Sequence, residues 1–116
     1  MSTFVGVVRK EDNISALSFD IYEPMLKLWF ERWQEKADKK NTTILMAHSI
    51  GDVKIGTSSF FCATLSPHRK SSLDLLEKFV EDFKANAPIW KYDIKNGRRI
   101  YAKQRSQKLP HSGILV

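Results

Sequence analysis

The sequence predicts an α+β domain, a largely antiparallel sheet with two helices packed on it. Residues 23–40 and 67–86 each carry apolar side chains at three- and four-residue spacing, the mark of an amphipathic helix. The runs around them are short and rich in β-branched and aromatic residues, and turn residues bound them. The triplet Lys95-Asn96-Gly97 supplies the chemistry of a tight hairpin turn. In chain order the elements read β-β-α-β-β-α-β-β.

The first two strands are residues 3–9 (TFVGVVR) and 14–22 (ISALSFDIY). The polar run KEDN between them is a turn by composition, so the pair reads as a hairpin. In the first helix, Pro24 suits the opening turn and Met25, Leu28, Trp29 and Trp33 give one apolar stripe. Residues 42–50 and 57–66 read as strands, joined by a connector, GDVKIG, with a glycine at each end. Ser66 is placed to cap the second helix, with Pro67 at its first position. Leu73, Leu76, Phe79, Val80 and Phe83 are its expected buried face, and Pro88 follows its end. Residues 89–94 and 98–103 form the closing hairpin. Residues 1–103 are expected to be a single domain and residues 104–116 a tail, either disordered or docked through Ile114-Leu115-Val116.

At 116 residues, 42% hydrophobic and 28% charged, the chain has the size and composition of one globular domain with a real core. No apolar run approaches the ~20 residues of a membrane span, and no signal-peptide pattern opens the chain. The single cysteine, Cys62, excludes an internal disulfide and fits a reducing compartment, so the cytoplasm is the expected location. A net charge of +6 favours anionic partners, whether nucleic acid, phosphorylated metabolite or acidic protein, without choosing among them.

Several residues could carry chemistry. His68 and Arg69 fall at the start of the second helix, where the dipole favours anions, so a cationic pair there suits a shared anionic ligand as well as it suits mere solvation. Lys84 closes that helix, where capping alone accounts for a cation. Lys91 follows the apolar pair Ile89-Trp90. A lysine against apolar surface can work as acid, base or nucleophile, although most such lysines only snorkel to water. Arg9, at a strand end, can fork onto a phosphate or simply face solvent. His48 reads as a satisfied structural histidine and Cys62 as core. No metal-ligand spacing, Gly-rich phosphate loop or acid pair with a nearby base is present in the sequence.

The order and spacing of these residues resemble the large, catalytic subunit of molybdopterin synthase. The blocks are GVVR at 6–9, PHR at 67–69 and K-x-x-A-P-x-W-K at 84–91. His48-Ser49-Ile50-Gly51 with Gly56 is similar to a family H-R-x-G…G turn, with Ser49 in place of arginine. The resemblance spans residues 4–105 and is most specific in the last block. It implies an α/β-hammerhead-like fold and a sulfurtransferase that installs the dithiolene of molybdopterin on a cyclic pyranopterin monophosphate. The sulfur would come from the C-terminal Gly-Gly thiocarboxylate of a small ubiquitin-like carrier subunit. The implied assembly is a homodimer within a heterotetramer, with no metal, organic cofactor, nucleic acid or membrane involved. By motif match, Lys84 and Lys91 take the catalytic positions. Arg9, His68 and Arg69 match anion- and pterin-binding positions, and Phe4 an aromatic lining the pocket. Family members carry a further helix and strand before the GVVR block, so this chain is expected to be N-terminally short, as a fragment or a shortened member. A family arginine expected near residues 103–105 has no clear counterpart.

Helix length adds one inference from the residues themselves. His68 and Lys84 are 16 positions apart, ~24 Å along a helix at ~1.5 Å per residue, too far for one small-molecule pocket. Either they serve separate sites or His68 and Arg69 reach into the pocket of a second subunit. Two other readings stand beside the enzyme: a non-catalytic relative acting as an interaction module, and a small basic nucleic-acid-binding domain. Binding to a Gly-Gly carrier, against salt-sensitive binding to RNA or DNA, separates the enzyme from the last of these.

Overall fold

The computed structural model describes residues 1–11 and 13–101. Its elements are β1 (Ser2–Val7), β2 (Ala16–Ile21), α1 (Glu23–Asp38), β3 (Thr43–His48), β4 (Gly51–Lys54), β5 (Ser58–Leu65), α2 (Arg69–Asn86), β6 (Ile89–Lys95) and β7 (Arg98–Tyr101). All strand pairs are antiparallel. They form two sheets rather than one, ordered β1-β5-β3 and β4-β2-β6-β7. The helices lie on the first: α2 packs on β1 and β5, and α1 on β3.

Two expectations about strands fail. The first two strands are not a hairpin, because β1 pairs with β5 while β2 lies between β4 and β6. Ala16, Leu17, Ser18 and Phe19 are all buried, so β2 is a central strand that needs a partner on each side. β1 alternates, with Phe4 and Gly6 turned inward and Val5 and Val7 exposed. That pattern reveals a half-buried strand but does not name its neighbour. The glycine-bounded connector also contains an extra strand, β4, so the order is β-β-α-β-β-β-α-β-β. Gly51 and Gly56, both at φ +83, turn the chain into and out of it, and Val53 packs opposite Leu17.

The closing hairpin forms as expected. Asn96 (φ 50) and Gly97 (φ 74) both take the left-handed conformation that a two-residue turn of the matching twist requires. The expected residues 102–103 of its second strand, and the tail, lie outside the described residues.

Both helices form, with rotated faces. In α1 the inward residues are Leu26, Trp29, Phe30, Trp33 and Ala37, while Met25 and Leu28 are exposed. In α2, Leu75, Phe79 and Val80 are buried and Leu76 and Phe83 pack against the same cluster, but Leu73 is exposed. The inward position one step earlier belongs to Ser72, a polar residue that hydropathy cannot flag. Its burial is satisfied by hydrogen bonds linking it to Thr64 and Ser2. The helix begins at Arg69 with His68 as N-cap, so Ser66 and Pro67 precede it; Ser66 Oγ instead accepts the His68 N–H at 3.2 Å.

One core cluster, built around Phe79, Phe60, Trp33, Ile44 and Cys62, fills the space between the helices and the first sheet. A second, of Val8, Ile14, Leu17, Phe19 and Val53, covers one face of the second sheet. The β1–β2 connection joins them: Val8 N–H donates to the Thr57 carbonyl, and the Val8 carbonyl accepts from Gly56 N–H. Among the described residues no helix is long and apolar enough to cross a membrane.

Candidate active site

A cavity of about 540 Å³ opens where the two sheets meet. Its walls are apolar, from Phe4, Leu17, Phe19, Phe60 and Phe83. Four elements each bring one cationic or titratable group. Arg9 follows β1, His48 ends β3, Lys84 sits in the last turn of α2, and Lys91 lies on β6. The lining residues include no aspartate or glutamate. The volume is that of a small-molecule site, and the charge is that of an anion site.

Local structure explains each placement. Lys91 is the register partner of Phe19, so it rises from the apolar face that Leu17 and Phe19 share. Lys84 is delivered by the same turn of α2 that buries Phe83, and its Nζ stands 5.7 Å from the centre of the Phe4 ring, within cation–π range. Gly6 brings β1 close to β5: a Cβ there would sit 3.3 Å from Phe60 Cβ. Phe60 and Phe83 stack at 3.9 Å with 8° between planes and floor the cavity.

Of the six residues singled out in the sequence, Phe4, Arg9, Lys84 and Lys91 converge on this cavity. His68 and Arg69 do not; they are exposed at the far end of α2. His48, read from the sequence as structural, lines the cavity. Its ring meets Phe19 edge-on at 4.8 Å and lies 5.8 and 5.7 Å from Phe60 and Phe83. Burial holds its pKa below the ordinary 6.5 and the nearby Lys91 charge adds to that, against the opposing pull of the Ser49 carbonyl. The signals in the sequence were its place at a strand end before a glycine turn and the similarity of that turn to a family H-R-x-G…G pattern. Cys62 is fully buried, and burial pushes its thiol up to about 11, in keeping with a core role. Among the described residues no cluster of His, Cys, Asp and Glu could hold a metal.

The family model described as MoaE protein matches residues 1–86. The chain belongs to the MoaE family. Its relatives carry the name molybdopterin synthase catalytic subunit. One from Helicobacter pylori strain 26695 is 60% identical over 113 residues, covering 97% of this chain and 78% of the relative. One from Bacillus subtilis strain 168 is 31% identical over 99 residues, covering 81% and 63%. Among solved structures, the protein–protein complex of subunits 1 and 2 of molybdopterin-converting factor from H. pylori 26695 superposes with a TM-score of 0.92 at 58% identity, covering 99% of this chain and 79% of that one. Molybdopterin synthase from Staphylococcus aureus gives 0.77 at 28% identity, covering 86% and 77%. As a MoaE chain, this protein is a molybdopterin synthase catalytic subunit acting in molybdenum cofactor biosynthesis. The α+β class expected from the sequence agrees with these neighbours.

Proposed function

We propose that this catalytic subunit transfers sulfur from the thiocarboxylated C-terminus of a small ubiquitin-like carrier to cyclic pyranopterin monophosphate, building the dithiolene of molybdopterin. The observation that carries this reading is the convergence of Arg9, Lys84 and Lys91 on one apolar cavity whose lining includes no carboxylate. Both reactants are anions, and fixed cations in a poorly solvated site bind anions and stabilise charge that shifts during reaction. The thiocarboxylate sulfur forms a bond to a pterin side-chain carbon as a C–O bond at that carbon breaks, the oxygen leaving as water or staying on the phosphate. Hydrolysis of the acyl–sulfur bond then releases the carrier as a carboxylate and leaves the sulfur on the pterin. A second carrier repeats the step for the neighbouring carbon. Lys84 assists the attack or holds the covalent adduct, and Lys91 polarises or protonates the oxygen that gains charge. Arg9 takes the phosphate, and Phe4 sets the position of Lys84. The carrier partner is supported by the two-subunit complex of the H. pylori relative. We place the reaction in the cytoplasm, consistent with one buried cysteine and no possible internal disulfide.

His68 and Arg69 complete the site in a homodimer. The outer face of the three-stranded sheet exposes Val5, Val7, Leu45, Phe61 and Leu65, an apolar surface suited to a second copy. With a two-fold axis running across the strands, the Leu65 end of one β5 lies over the Ser58 end of the other. Ser59 and Val7 at that end line the cavity, so His68 of one copy, three residues beyond Leu65, approaches the cavity of its mate.

In vitro conversion of the pyranopterin by thiocarboxylated carrier tests the reading. Wild type should form product and Lys84→Ala should not. Mixing His68→Ala with Lys84→Ala chains should restore activity in mixed dimers. A folded, dimeric wild type that makes no product would sink the assignment, and mixed dimers that stay inactive would sink the shared site.

A further inference from the structure

His48 has one ring nitrogen committed to the backbone, and the residue lines the cavity. Its Nδ1 lies 2.6 Å from the Ser49 carbonyl oxygen. A carbonyl only accepts, so Nδ1 carries the proton and donates, and in the neutral ring Nε2 keeps a bare lone pair. Contacts with Phe19 on β2, Phe60 on β5 and Phe83 on α2 hold the ring in place.

The donors and acceptors of the cavity are unbalanced. Its polar side chains are Arg9, His48, Ser59, Lys84 and Lys91. Arginine and charged lysine only donate. Ser59 Oγ donates to the Gly6 carbonyl at 3.5 Å. Among the lining side chains, those able to accept a hydrogen bond therefore come down to His48, through Nε2, and the Ser59 hydroxyl. A ligand of phosphate and carbonyl oxygens alone would need neither. A reduced pterin carries several ring and amino N–H groups, which the arginine and lysine side chains cannot pair, and an N–H left unpaired costs stability.

We propose that His48 is a specificity-determining residue for the pterin: its Nε2 accepts a hydrogen bond from an N–H of the heterocycle, while Arg9 and the lysines take the anionic and carbonyl oxygens. This rests on the reading that the cavity takes a pyranopterin. It assigns recognition of the ring to β3, apart from the cationic groups that handle charge. Burial keeps the acceptor available at neutral pH. Protonation at lower pH would turn it into a donor and add a cation beside Arg9, Lys84 and Lys91.

The test uses the carrier-bound complex and cyclic pyranopterin monophosphate. His48→Phe keeps an aromatic ring among the three phenylalanines and removes the acceptor; His48→Gln returns an acceptor oxygen. At pH 7.5, His48→Phe should weaken pterin affinity and raise KM about tenfold, as expected for a donor left unpaired, with kcat and carrier affinity little changed. His48→Gln should recover part of the loss. Between pH 7.5 and 5.5 wild type should lose pterin affinity more steeply than His48→Phe. That variant retains the other charged groups around the site, Arg9, Lys84 and Lys91 in the cavity and Glu23 and Lys27 on the α1 side of His48. Imidazole ¹⁵N shifts of wild-type His48 should report a new hydrogen bond at Nε2 on pterin addition, whatever the variants' stability. Unchanged pterin affinity in His48→Phe, equal losses in both variants, or an unmoved Nε2 signal would overturn the proposal while leaving sulfur transfer intact. A wild type that neither binds nor converts the pterin would instead overturn the functional reading on which it rests.

Discussion

Replacing Asp82 by alanine should loosen α1 from α2. Asp82 Oδ2 accepts the indole N–H of Trp29 at 2.8 Å and of Trp33 at 2.7 Å, and Oδ1 accepts from Asn86. These are charge-assisted bonds in a part-buried setting, and truncation removes the acceptor that the two indole donors share. Each bond to a charged group contributes about 1.5–3 kcal/mol in isolation, but bonds sharing one carboxylate do not add. A loss of about 2–4 kcal/mol is expected for the Ala variant. For a domain of this size that corresponds to a Tm lower by roughly 10–25 °C, read by circular dichroism and checked by urea unfolding. The same carboxylate gives a pH signature. Burial raises its pKa, but hydrogen bonds from Asn86, Trp33 and Trp29 and the charge of Lys36 outweigh it, so the folded-state value is lowered. A depressed carboxylate contributes stability above its unfolded pKa of ~3.9 and loses it as pH falls through the folded value. Wild type and Asp82→Ala should therefore differ most at neutral pH, begin to converge below about pH 4, and approach each other further as pH falls through the lowered folded-state value. A change under about 0.5 kcal/mol at pH 7, within the range of ordinary surface substitutions, would refute the clamp.

Phe4→Leu keeps an apolar wall but removes the ring beneath Lys84, so kcat/KM should fall by a few-fold, on the order of the ~0.5–1 kcal/mol of an exposed cation–π contact, with Tm little changed. Gly97→Ala meets no atom within 4 Å but must hold a φ of +74, so stability should drop by about 1–2 kcal/mol while pterin conversion at 25 °C stays at the wild-type level.

What the sequence disclosed follows physical lines. Helical periodicity located both helices because their inward stripes are mostly apolar. In α2 it misplaced one position, Leu73, where Ser72, satisfied by Thr64 and Ser2, takes the inward place. The Asn-Gly turn announced its hairpin because the constraint is local. The partners of β1 and β2 were not legible, since register and pairing depend on surfaces that meet only in three dimensions. β4 escaped notice at four residues, too few for any period to show. Of the candidate site, the motifs made four members legible: Phe4, Arg9, Lys84 and Lys91 line one cavity. His48 was missed because a histidine at a strand end reads alike whether its free nitrogen meets protein or a cavity. Helix length was the one piece of geometry available before the fold, and it separated His68 and Arg69 from Lys84 as the structure does.

The family turn around His48 explains how the site tolerates a departure. Ser49 stands where the family pattern carries arginine, a change that would matter if the side chain worked. Ser49 is held through its main chain: its N–H donates to Ser59 O at 2.8 Å, and its carbonyl accepts from His48 Nδ1 at 2.6 Å. The first holds the end of β3 against β5, and the second sets the tautomer of His48. Gly51, at φ +83 two residues on, then carries the chain into the second sheet. The contacts at this turn therefore constrain the backbone path, which any non-proline residue at position 49 can supply. The cavity depends on the seam between two sheets, and at this corner main-chain hydrogen bonds hold the seam together.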